Sequence, residues 1–172
     1  MVPKSEEVRS IWGLPSVHVP LDLADVDRFP LLAQALEVWR RAATDGIPET
    51  IDPLDMPPAL IKGISLIEWR EDEGDWYVRL ASTLLRQGHG APLSGAKLAD
   101  GLRPDQAQRM RDRIRAMQEK GEPALDRFDF DDRQGRIWAY VRLALPLSSD
   151  GVKRDRYALI FDPETFGQRI ED

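Results

Sequence analysis

The 172-residue sequence contains no cysteine. That removes disulfide frameworks, thiolate metal sites and cysteine nucleophiles together. Histidine is almost as scarce: His18 and His89 are the only two, and a zinc site built on either needs acidic partners that no local spacing supplies. No segment approaches the roughly 20 consecutive apolar residues of a membrane span. Residues 1–10 carry Lys4, Glu6, Glu7 and Arg9 and lack the apolar stretch of a secretion signal, so the expected location is cytoplasmic, with no membrane contact. Basic charge is not in excess either. The formal net charge of −6 disfavours phosphate-rich partners, and no nucleic acid is expected. Arg109, Arg111, Arg113 and Arg115 alternate along a helical stretch, which spreads them around the cylinder. With Asp105, Asp112 and Glu119 among them, they read as a solvated face.

What is present is a pattern of one mixed domain. A chain of this length buries roughly 70% of its extended surface without staples. Residues 1–28, with Pro3, Pro15 and Pro20, read as an irregular arm anchored by Ile11, Trp12, Leu14 and Val17. A helix follows from Pro30 to Thr44, capped by Asp27 and stopped by Gly46 and Pro48. It carries two apolar stripes. Leu32, Leu36, Trp39 and Ala43 form the one expected to pack on the domain. Leu31, Ala35, Val38 and Ala42 form a second, expected to face outward as the seam of a homodimer, because a monomer seldom leaves such a patch in water.

Alternation predicts strands over 64–69, 76–81, 125–131, 136–145 and 156–161. A short helix at 82–87 and a long one at 104–120 fall between the second and third. Short turns between strand pairs imply an antiparallel sheet, and the inserted helices must cross one of its faces.

Several motifs fall short of chemistry. Gly90 to Lys97 looks like a phosphate loop, but Ala96 displaces the lysine and no strand precedes it. Asp129, Asp131, Asp132 and Gly135 lack the acidic spacing of a calcium loop. No serine sits in a nucleophile elbow.

Three stretches carry a family resemblance. The first is Trp39 followed by Gly46, Pro48 and Ile51-Asp52-Pro53-Leu54-Asp55-Met56. The second is Tyr77-Val78-Arg79-Leu80 leading to Thr83. The third is Gly90 with Leu93-Ser94-Gly95-Ala96-Lys97-Leu98. Over about residues 29–162 the chain resembles the PAS-like family of short bacterial single-domain proteins, leaving 163–172 as a tail. The fold expected is α+β: a PAS-like five-stranded antiparallel sheet with helices packed on one face and an N-terminal helix.

The resemblance implies a sensory or interaction module. With the second stripe of the 30–44 helix as a homodimer seam, the expectation is a regulatory module rather than an enzyme, passing its signal to a separate signalling partner. A small metabolite would sit between sheet and long helix, with Arg79, Thr83, His89, Met110, Ile114 and Arg142 as candidate pocket residues. The missing cysteine excludes cysteinyl-adduct flavins and thioester-linked chromophores, and the long helix has no histidine for haem. No catalytic residue, metal or cofactor is assigned. The rival expectation is an enzyme or carrier using the same pocket.

Overall fold

The alternating stretches become strands because each presents one apolar row to each side of a sheet that is covered on both. The computed structural model describes residues 14–84, 94–100, 104–131 and 136–168. In chain order these form β1 (Leu14–Leu21), α1 (Pro30–Ala42), β2 (Ile64–Arg70), β3 (Asp75–Leu80), α2 (Pro104–Lys120), β4 (Ala124–Asp131), β5 (Ile137–Leu147), β6 (Arg156–Phe161) and β7 (Gly167–Gln168). Tight 3₁₀ turns occupy Leu23–Arg28, Pro53–Asp55 and Pro58–Gly63. The sheet is antiparallel and runs β1-β4-β5-β6-β2-β3, with the two-residue β7 pairing β5. The five expected strands and the expected long helix are all present.

Two segments at the ends differ from expectation. The arm is not irregular throughout, since residues 14–21 form an edge strand that pairs with β4 from Leu14↔Asp131 to Leu21↔Leu125. The tail is not free throughout either. Asp162 is buried and caps a turn by accepting from the Glu164 amide at 3.1 Å. The turn brings Gly167 back onto β5 and Phe166 against Tyr140, Phe161 and Trp138.

The helices divide between the two faces. The α2 helix lies on one, where Ile114 and Met117 meet Trp76, Val78, Phe128, Tyr140, Tyr157 and Phe161. The α1 helix lies on the other, where Leu32 and Leu36 meet Leu143, Leu145, Leu147 and Ile160. The inserted helix thus crosses one face as expected, and the N-terminal helix closes the opposite one.

The stripe expected to form a dimer seam does not face outward. Ala35 and Val38 are 0% and 7% exposed within the single chain. Val26 of the preceding turn, with Met56 and Leu60 of the segment after the helix, covers them. Ala42 is exposed and Leu31 half-buried, so the four do not make an outward seam. The second stripe is core because the chain before and after α1 wraps it.

Helix ends follow their local chemistry. Pro30 opens α1 at the position where a missing N–H costs nothing. Its N-cap is Phe29 rather than Asp27, which lies within the preceding 3₁₀ turn. The α2 helix ends at Gly121, which has φ +67° and donates to the Met117 carbonyl. A side chain there would collide with the Arg154 guanidinium, which itself donates to the Gln118 carbonyl. The outer edge of β3 is also occupied. Val78 donates to the Ala96 carbonyl and Leu98 to the Trp76 carbonyl, both at 2.9 Å.

Candidate functional site

Along β4, alternation sends Leu125 to the α1 face and Asp126 and Phe128 to the α2 face. Asp126 is thereby placed, fully buried, among aromatics. A lone carboxylate there would cost several kcal/mol, on the order of a desolvated ion, so partners converge on it. From β1, the His18 Nε2–H donates to Asp126 Oδ1 at 2.8 Å. From α2, Arg113 Nη2 donates to the same oxygen at 2.6 Å. From β5, where Arg142 is the register partner of Asp126, Arg142 Nη2 approaches Oδ2 at 3.6 Å.

The aromatic neighbours fix the geometry of these ions. The His18 ring stacks on Phe128 with centroids 4.5 Å apart, and the Arg142 guanidinium lies 4.4 Å from the same ring centre. Tyr140 stacks on Phe128 at 5.2 Å, and burial pushes its hydroxyl up to about 12. Burial also pushes the Asp126 carboxyl up, but the His18 hydrogen bond and the charges of Arg142 and Arg113 outweigh it, so it is held below the usual carboxylate value. The carboxylate stays ionised and ties three elements to one point. A second pair repeats the device on α2, where Arg111 Nη2 meets Asp75 Oδ2 at 3.0 Å. Arg109 pairs with Asp105 at 3.3 Å on the surface. Of the four alternating arginines, Arg115 alone lacks an acidic partner among the described residues.

The five described candidate pocket residues do not come together. Met110, Ile114 and Arg142 lie on the α2 face, where Ile114 is core and Arg142 serves Asp126. Thr83 is half-buried just after β3. Arg79 lies at a cleft on the opposite face, and His89 lies outside the described residues. His18, Asp126 and Arg113 were not among the candidates. The signal that could have found them is Asp126 itself, a charge sharing the buried face of Phe128 in an alternating strand.

The cleft opens where α1 leaves the sheet uncovered. Its floor is Ile64, Leu66, Ala158 and Ile160, its wall Ile51 and Met56, and its volume about 320 Å³. A bulge between Leu66 and Ile67 sets Leu80 opposite Leu66 and Val78 opposite Ile67. The extra residue, Arg79, is thereby set at the cleft. Among the described residues no group of three acidic, imidazole or thiol side chains is placed to hold a metal ion, and no helix is long and apolar enough to cross a membrane.

No family model and no curated protein matches the chain. Among solved structures, the chain is similar to an RNA-binding light-oxygen-voltage receptor, at 14% identity and a TM-score of 0.44 over 90% of this chain. The match spans 38% of that receptor's chain.

Proposed function

We propose that the chain is a non-catalytic sensory module of PAS type that passes a conformational signal to a separate partner protein. The observation that carries this reading is the Asp126 centre. One buried carboxylate holds the edge strand through His18, the long helix through Arg113 and the sheet through Arg142. Any event that changes the charge balance there acts on the edge strand and the helix at once, and both lie at the domain surface, where a partner can read them. The rival reading, an enzyme or carrier, draws on the same His18–Asp126 pair, which has the geometry of an oriented general base. Two arginines already share that carboxylate, which suits a structural tie better than a proton relay.

The test is hydrogen exchange on Asp126→Asn, which removes the charge and keeps the shape. Amides of β1 and α2 should lose protection together while those of β5 and β6 keep theirs. Loss spread evenly over the whole sheet, or no loss in either element, overturns the coupling.

A further inference from the structure

The cleft on the α1 side carries a cation that no side chain pairs with among the described residues. Arg156 is half-buried at its rim. Its register partner across the sheet is Glu68. That carboxylate is instead taken by Arg70 at 3.3 Å and approached by Arg79 at 3.9 Å. Among the described residues no hydrogen bond or ion pair engages the Arg156 side chain. A guanidinium that gives up part of its hydration without a partner is an unfavourable arrangement unless an anion completes it.

Beside this cation lies an apolar trough formed by Leu66, Ala158 and Ile160 of the sheet and Met56 of the wall. Its volume of about 320 Å³ sits at the small end of the ~300–1,000 Å³ typical of small-molecule sites. Glu49 also stands at the rim but is exposed and makes no ion pair with Arg156, so the half-buried guanidinium is the charge that lacks both full hydration and a contact. Apolar floor, small volume and that cation define the complement: a monoanionic carboxylate on a short hydrocarbon body. We infer that the cleft between residues 49–56 and strands β2 and β6 binds a small amphipathic carboxylate, with Arg156 receiving the carboxylate and the trough receiving the chain. The site lies on the face of the sheet opposite the Asp126 centre. It deepens the sensory reading by naming a ligand class, and rests on that reading only for what binding would signal.

The experiment uses octanoate as probe, with octanol and octylammonium as controls, titrated into isotope-labelled full-length protein and followed by NMR. Octanoate should saturate, with its largest shifts at Leu66, Ala158 and Ile160. Octanol and Arg156→Gln should each weaken binding by at least about tenfold, the size of a lost charge-assisted hydrogen bond, and octylammonium should be weaker still. Arg156→Lys, which keeps the charge, should recover part of the affinity. The variant spectra report directly that each protein remains folded. Leu66→Trp, which fills the trough from an already half-buried position, should abolish binding without touching Arg156. The proposal is overturned if octanoate fails to saturate up to about 1 mM, if Arg156→Gln binds as wild type, or if the shifts map to α2. Each failure leaves the exchange behaviour of Asp126→Asn untouched, so the two readings fall separately.

Discussion

On the α1 side of the sheet, β5 presents Leu143, Leu145 and Leu147 to Leu32 and Leu36 of the helix. On the α2 side the same strand presents Tyr140 and Arg142 to Phe128, Asp126 and Arg113. One strand thus faces an aliphatic layer and a layer of rings and ions. The aliphatic layer gains stability from area removed from water and tolerates small shifts of one row against another. The ionic layer gains little net stability from its charges, because desolvation offsets attraction. What it provides is position: His18, Arg113 and Arg142 reach one carboxylate from three elements, so their relative placement is fixed. The difference separates a layer that holds by buried area from one that fixes the relative placement of three elements.

Breaking the ionic layer should give the largest effect. Asp126→Ala leaves Arg113 and Arg142 facing each other without the carboxylate, and should cost about 3–5 kcal/mol, the usual result of orphaning a buried charge. Urea denaturation at neutral pH measures it, and a cost below 1 kcal/mol would show that the cluster is solvated.

The aliphatic layer should respond through volume. Leu143 is 0% exposed, and Leu143→Ala should cost about 2–5 kcal/mol as transfer and cavity terms add. Acidity tells the two losses apart. The folded Asp126 carboxyl lies below its unfolded value of about 3.9. Its stabilisation is therefore full above that value and disappears as pH falls through the lower folded one. The gap between wild type and Asp126→Ala should narrow between pH 5 and pH 2, over the range in which paired carboxylates titrate, whereas the Leu143→Ala gap should stay constant. Asp162, whose carboxyl burial raises, pulls the opposite way but cancels in both differences. A pH-independent Asp126→Ala gap would contradict the assignment.

The smallest contrast runs along α2. Arg113 donates to a buried acceptor, so Arg113→Ala should cost about 1.5–3 kcal/mol. Arg109 pairs with Asp105 in solvent, with both side chains more than half exposed, so Arg109→Ala should change stability by under about 0.5 kcal/mol. Equal melting shifts for the two variants would remove the distinction between tie and solvated face.

Much of the frame was legible from the residues. Period-2 alternation marked β2 to β6, and Pro104 with Gly121 bracketed α2 because proline opens and glycine closes a helix. Less legible was what covers what. Two apolar stripes on α1 suggest a partner chain only if nothing local reaches the second one. Val26, Met56 and Leu60 do reach it, from short 3₁₀ and extended segments with no period to mark them. β1 was hidden for a similar reason, because Pro15 and Pro20 read as irregular chain. Proline removes a ladder donor, but that is tolerated on an edge strand, which is where β1 lies. The Asp126 centre was hidden because its members are far apart in sequence and only register and helix placement join them.

The pairing of β1 with β4 also has a consequence for the order of assembly. His18 and Asp126 are 108 positions apart, so the strand that emerges early cannot pair until the fourth strand exists. Contacts of that range are closed late, after local loops have formed. During synthesis, at about 5–20 residues per second, the segment around Val17 and Val19 waits for seconds as an unpaired β-prone stretch. Such a stretch invites pairing with another nascent chain. Pro15 and Pro20 bracket it, and each removes an amide that a wrong partner would need. The same two residues that made the strand hard to see protect it until its proper neighbour arrives.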